Sequence, residues 1–324
     1  MRNVREDHYS LFSSLFFFFI TRALFYEKIF SNFEISCEMG HACFSPSHIP
    51  EAIVCQNHGC RYYLYHWSDF SVENDRYLSS YLGCDKYLLW GKAHRTGFEN
   101  REYDLIGYPF KKFINEVKFK RQEVLSAMGL RSRGKIISCF DESFGGEHKM
   151  TEEHFVDYWK VLLGIAQANS ENTVIIRPKE IRRYMKLPDV LKKNFLETKE
   201  TLEKLENVWI VDSKKWSFIE VIGVADVVVT QGMTSSATIA IICGINGLYF
   251  DEADYDHPFK DKFKDRIVFD SREKLLDMIS KILNGSEKPI TDISESLLRE
   301  FDAYADDDGI ERMREECGNV NVND

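Results

Sequence analysis

The chain has 324 residues, 44% of them apolar and 14% aromatic, enough for two domains of ordinary size with substantial cores. Its formal net charge of −10 excludes a general nucleic-acid binder, because a phosphate backbone demands an extended basic surface, so any phosphate site must be local. The eight cysteines include no C-x-x-C pair, and Cys139 and Cys243 sit inside apolar runs; this predicts reduced thiols in a cytoplasmic protein, with neither a disulfide framework nor a zinc site.

Residues 11–20 (LFSSLFFFFI) form the first apolar run. A bilayer-spanning helix needs about 20 such residues, so this run is too short to cross. Glu6 and Asp7 dilute the basic start that a signal peptide requires, and no small-residue cleavage site follows. The run reads first as buried structure, with contact to a membrane surface as the alternative. Residues 52–55, 86–90 and 105–107 read as strands, the first two ending at Gln56-Asn57-His58-Gly59 and Gly91-Lys92. A charged helix over 118–128 leads to the glycine-bounded stretch 129–134, the best linker candidate.

From residue 135 strands and helices alternate regularly. Strands are predicted at 135–140, 173–177, 208–211, 227–229, 247–250 and 267–269. Helices are predicted at 151–169, 190–205, 217–224, 234–244 and 272–283. Such alternation with short loops predicts an α/β fold with a doubly wound parallel sheet. The tail from 293 to 317 reads as two helical pieces broken around Asp306-Asp307-Asp308-Gly309.

Four features of this half converge on phosphate. The loop after the first strand holds Gly145 and Gly146, where backbone N–H groups can approach an anion. Arg177-Pro178-Lys179 ends the next strand and could aim two cations at the same edge. Thr234, Ser235 and Ser236 open a helix after Gln231 and Gly232 at a strand tip, where unpaired N–H groups and the positive dipole end favour an anion; a lone hydroxyl there would serve equally as a helix cap. Asp251 and Glu252 follow the next strand, where a carboxylate could accept from ribose hydroxyls, and His257 lies on the same edge as a sugar contact. Among the histidines His58, in its strand–turn context, is the candidate general base for a hydroxyl nucleophile. Asp254-Tyr255-Asp256 is a weak metal signal by itself, no H-x-x-x-H pair exists, and neither a metal nor a bound cofactor is expected.

These pieces resemble the glycosyltransferases of the two-Rossmann-domain (GT-B) type, particularly bacterial surface and capsule polysaccharide enzymes related to the CDP-glycerol glycerophosphotransferase group. The matching residues are Gln56-Asn57-His58-Gly59 (one residue shorter than the family's QxxHG), Trp90-Gly91, Ile106-Gly107-Tyr108-Pro109, Phe140 to Gly145, Arg177-Pro178-Lys179, Ala225-Asp226 running to Ser235-Ser236, and the tail segment from Phe301 to Arg312. They cover roughly residues 53–314. Gln231-Gly232-Met233 replaces the Asp-Tyr-Ser type of sequence seen in glycerophosphotransferases.

The resemblance implies two Rossmann-like domains: a short acceptor-side domain over 1–130, a nucleotide-donor domain over 134–290, and a helical tail over 291–324 packing back on the first. It implies a metal-independent transfer of a sugar from a nucleotide-sugar to a glycan or lipid-linked acceptor. His58 would be the base, and the diphosphate would lie against the Ser235-Ser236 helix start with Arg177 and Lys179 stabilising the leaving group. A cytoplasmic protein, peripheral at the inner face of the membrane, fits this. A nucleotide-sugar epimerase or hydrolase of the same fold and a non-catalytic nucleotide-binding assembly protein are the competing readings.

Overall fold

Two all-parallel sheets organise the chain. The computed structural model describes residues 2–41, 48–68, 83–95, 102–131, 133–145, 150–255 and 257–318. These fall into two compact units: one of residues up to 67, 83–109 and 308 onward, the other of Ser68 and 110–307.

The first unit's sheet has the order β1 (Cys37–His41), β2 (Arg61–Tyr65), β3 (Lys86–Leu89), β4 (Tyr103–Leu105). Tyr62, Tyr63 and Leu64 are buried in succession, as a parallel strand covered on both faces requires. The expected strand at 52–55 is instead part of a helix, His48–Asn57. The reason is topological: β1 and β2 run parallel, so the chain between them must make a crossover, which is ordinarily helical. Ala52, Val54 and Cys55 are buried while Ile53 is 42% exposed.

The phenylalanine run is also not buried. It lies within the helix Arg2–Phe30, where Phe16 and Phe17 are 68% and 71% exposed and burial begins at Phe30. Helix Gly309–Gly318 covers the sheet through Met313, which packs with Leu88 and Ile106 beside Met39 and Tyr65. Glu316 accepts from Lys86 at 2.9 Å, and Arg312 donates to the Ile106 carbonyl at 2.9 Å.

The second unit's sheet has the order β10 (Val268–Phe269), β9 (Asn246–Phe250), β8 (Val227–Gln231), β5 (Ile136–Phe140), β6 (Thr173–Arg177), β7 (Val208–Ile210). This is the predicted doubly wound sheet. The chain winds outward from β5 through β6 to β7, then returns to the other side of β5 and winds through β8, β9 and β10. Helices Lys111–Phe119 and Arg121–Ala127 belong to this unit and precede its first strand, so the units part near residue 110 rather than at 130–134. Asp226 fixes them there: it accepts from both Arg121 nitrogens, at 3.2 and 2.5 Å, and from the Ile136 N–H at 2.8 Å. The tail is likewise divided. Helix Glu295–Phe301 stays in the second unit, where Phe301 lies 4.5 Å from Phe259, and helix Gly309–Gly318 joins the first.

The helix Ser235–Ile242 rests on β9 at Gly247, where an added Cβ would collide with the Ala237 carbonyl and stand 2.9 Å from Ile241 Cγ1. Backbone cannot yield as a side-chain tip can. Gly247→Ala is therefore expected to destabilise the protein by about 1–3 kcal/mol in chemical denaturation, the usual cost of overpacking.

Candidate functional site

In an open parallel sheet, ligands bind outside the strands' carboxyl ends where the winding direction reverses. Here that point lies between β5 and β8. The register sets Phe140 opposite both Arg177 and Thr230, so Asp141, Pro178 and Gln231 emerge at one level, and Gln231 faces Phe250 just before Asp251.

The crevice is crosslinked from three strand tips. The Lys179 N–H donates to Asp141 Oδ1 at 2.6 Å, and the Lys179 ammonium pairs with Glu142 Oε1. The Glu142 N–H donates to Gln231 Oε1 at 3.2 Å, and Gln231 Nε2 donates in turn to the His154 carbonyl at 2.9 Å. Gln231 thus holds the β5 loop against β8 and is itself buried. Gly232 takes φ 62°, and its N–H reaches the Phe250 carbonyl at 2.7 Å; an added Cβ would stand 2.7 Å from Met150 Cε. Gly145 takes φ 74° and donates to the Met150 carbonyl at 2.9 Å. Gly146 and Asp256 lie outside the described residues.

The helix start that follows differs from the unit's other starts at Ser or Thr, while Phe110, Lys120 and Pro188 open theirs without any side-chain cap. Thr151, Ser217, Ser271 and Ser294 each cap their helix with a side-chain oxygen. Thr234, also a hydroxyl residue at the N-cap with extended backbone, makes no such bond. The first N–H groups of Ser235–Ile242 therefore lack their own cap at the winding reversal, with Thr234, Ser235 and Ser236 all half-buried. The Ser235 hydroxyl lies 2.5 Å from that of Ser68. The electrostatics suit an anion that meets Lys179, whose pairing with Glu142 is half-exposed; such pairs contribute only about 0–1 kcal/mol, so a diphosphate can compete for the ammonium.

Other expected residues stand elsewhere. Arg177 turns to the loop after β7, donating through Nε to the Trp216 carbonyl at 3.0 Å and through Nη2 to Ser213 at 3.4 Å, so it orders that loop instead of presenting a cation beside Lys179. His257 is 5% exposed, stacks on Phe301 at 5.6 Å and accepts from the Phe259 N–H through Nδ1 at 3.1 Å, so it packs within the aromatic cluster. Asp251 is at the expected strand tip. Its Oδ2 accepts from the Tyr255 N–H at 2.9 Å, Oδ1 is buried with no hydrogen-bond partner among the described residues, and burial raises its pKa. Glu252 is exposed beside it.

His58 follows a helix and precedes β2, which puts it at the amino ends of the first unit's strands. Its Nε2 lies 2.9 Å from Glu27 Oε1 of the long helix, and its ring packs on Phe30 at 5.7 Å. The carboxyl ends carry different histidines. His66 follows β2, and His94 lies in the 3-10 turn Lys92–Arg95 after β3, their ring centroids 4.3 Å apart. Trp90 adjoins both, at 5.4 and 5.1 Å, and Tyr108 meets Trp90 edge-on at 4.7 Å. Sequence reasoning missed His66 and His94. The usable signal was position: each closely follows a strand, at the end where parallel sheets place chemistry, whereas the motif-like Q-N-H-G drew attention to the other end.

No family model and no curated protein sequence matches the chain. Solved structures do, at low identity. The wall teichoic acid polymerase TagF soaked with CDPG is 12% identical with a TM-score of 0.59, covering 87% of this chain and 72% of the polymerase chain. The UDP-GlcNAc 2-epimerase from Neisseria meningitidis bound to UDP-GlcNAc is 9% identical with a TM-score of 0.62, covering 92% and 80%. An α,α-trehalose-phosphate synthase (UDP-forming) from Burkholderia vietnamiensis is 8% identical with a TM-score of 0.55, covering 94% and 75%. The chain shares with them the two-Rossmann-unit GT-B fold that the resemblance implied.

Burial pushes the Asp141 carboxyl up to about 7, against the opposing hydrogen bond from the Lys179 N–H. A carboxyl that holds its proton more tightly when folded adds stability below its unfolded pKa of about 4, and that stability is lost as pH rises through 7. Asp141→Asn keeps an acceptor for Lys179 and abolishes this titration. Urea denaturation from pH 4 to 8 is expected to show the wild type losing stability relative to the variant between pH 4 and 7; parallel curves would refute the assignment.

Proposed function

We propose that the chain is a glycosyltransferase that takes a sugar from a nucleotide-activated donor to a hydroxyl of a surface polysaccharide or lipid-linked acceptor. The observation that carries this reading is the uncapped helix start at Thr234-Ser235-Ser236, standing where the sheet's winding reverses. The donor diphosphate lies against these N–H groups and hydroxyls. Lys179 exchanges Glu142 for phosphate and, with the helix dipole, stabilises the negative charge that develops on the leaving nucleotide. Asp251, whose Oδ1 is buried at the β9 tip with no hydrogen-bond partner among the described residues, accepts from a donor hydroxyl, and Glu252 lies beside it. The reaction needs no bound cofactor, and the helix dipole and ammonium take the part that a metal plays elsewhere. The similar structures support a nucleotide-linked substrate: one is bound to UDP-GlcNAc and another was soaked with CDPG.

We assign the proton acceptor to His66 in place of His58. His66 stands at the carboxyl end of β2, whereas His58 at the amino end is occupied by Glu27. A general base contributes about 10²–10⁴-fold to rate.

Thermal unfolding with UDP, CDP, GDP, CMP and dTDP tests the donor site. A nucleotide at about 100 times its Kd stabilises by about 2.7 kcal/mol. One of these is expected to raise Tm, with the shift reduced in Ser235→Ala and in Lys179→Ala; no shift from any of them would overturn the site.

Turnover separates the histidines. His66→Gln is expected to lower kcat at least about 100-fold with the nucleotide-induced Tm shift intact, while His58→Gln stays within a few-fold of wild type. Consumption of nucleotide-sugar at the full rate without acceptor would favour the epimerase or hydrolase reading instead.

A further inference from the structure

We propose that helix Arg2–Phe30 is a lipid-surface anchor, its phenylalanine-rich middle entering the apolar layer of a membrane and its exposed cations meeting anionic headgroups. The exposure of this helix has an uncommon form. Leu15, Phe16, Phe17, Phe18, Ile20, Leu24 and Phe25 are all between 38% and 71% exposed. Consecutive residues of an α-helix point about 100° apart, so Leu15, Phe16, Phe17 and Phe18 alone distribute apolar surface over about 300° of the circumference. A partner helix or a protein groove covers one stripe of roughly 100° and would leave the remaining rings in water. A fluid hydrocarbon phase covers them all.

Charge points the same way. Between residues 13 and 30 the charged residues are Arg22, Glu27 and Lys28. Glu27 is taken up by His58, while Arg22 and Lys28 are exposed, Arg22 within 5.8 Å of the Phe18 ring. A chain of net charge −10 thus presents cations beside its most apolar exposed surface. No helix among the described residues is long and apolar enough to cross a membrane, so the phenylalanine-rich segment enters one leaflet without spanning the bilayer. Its opposite end stays with the fold through Phe30 and the contact of Glu27 with His58.

The inference does not rest on the donor site. Its test is co-sedimentation of the full chain with sucrose-loaded vesicles of phosphatidylcholine and phosphatidylglycerol. The wild type is expected to pellet with the vesicles. Phe16→Ser/Phe17→Ser should weaken binding at least about tenfold, since each substitution removes most of a phenylalanine's apolar surface. Both rings are largely exposed, so circular dichroism and Tm should be unchanged, and any nucleotide-induced Tm shift should survive. Absence of wild-type binding, or binding that the double substitution leaves intact, overturns the proposal. So does a dimer seen by light scattering that the same substitution dissolves, because the face would then belong to a second copy.

Discussion

Because β5 hydrogen-bonds to β6 on one side and to β8 on the other, the chains leaving its tip and that of β8 must diverge, and a crevice opens that no crossover helix fills. Everything that recommends the second unit as a binding site follows from that divergence. The register brings Asp141, Pro178 and Gln231 to one level. Gln231 then spends both ends of its amide holding the walls, one on the Glu142 N–H and one on the His154 carbonyl. A buried amide satisfied in this way rigidifies its surroundings, since leaving either group unpaired would cost about 1–3 kcal/mol. The walls are fixed before any ligand arrives, which reduces the ordering cost of binding.

Charge in the crevice is arranged for exchange. Asp141 is buried, retains its proton more strongly than an ordinary carboxyl, and anchors the backbone of Lys179 without claiming its ammonium. The ammonium instead meets Glu142 in a half-exposed pair, weak enough for phosphate to replace. Arg177 shows the opposite case. Burial lowers its pKa, and two backbone carbonyls hold its guanidinium, so moving it to a phosphate would leave those carbonyls unsatisfied. Of the two cations predicted for this edge, Lys179 is held by one carboxylate and Arg177 by two backbone carbonyls.

The first unit shows how an apparent motif can sit at the wrong end of a sheet. His58 lies between a helix and a strand, and its pairing with Glu27 ties the long helix to the fold. His66 and His94 occupy the carboxyl ends of adjacent strands among Trp90, Tyr87 and Tyr108, a polar pair in an aromatic setting. In a parallel sheet all strands share one polarity, so the difference between the ends is absolute, and only strand assignment reveals it.

Local sequence determined the second unit almost completely. Apolar β-branched runs such as 173–177 and 227–229, hydroxyl caps at Thr151, Ser217 and Ser271, and glycine breaks at 145 and 232 each act within a few residues, and their alternation specifies the doubly wound sheet. It also located the helix start at Thr234. Tertiary structure decided what depends on distant partners. An apolar segment at 52–55 suits a strand until the parallel pairing of β1 and β2 demands a crossover there. Whether Thr234 caps its own helix, whether Arg177 faces the crevice or the 213–216 loop, and whether His257 meets solvent or Phe301 are questions of side-chain direction and competing acceptors. The exposure of the phenylalanine run has the same origin, because a helix shows its apolar residues to whatever the rest of the chain leaves uncovered, and periodicity alone carries no record of that.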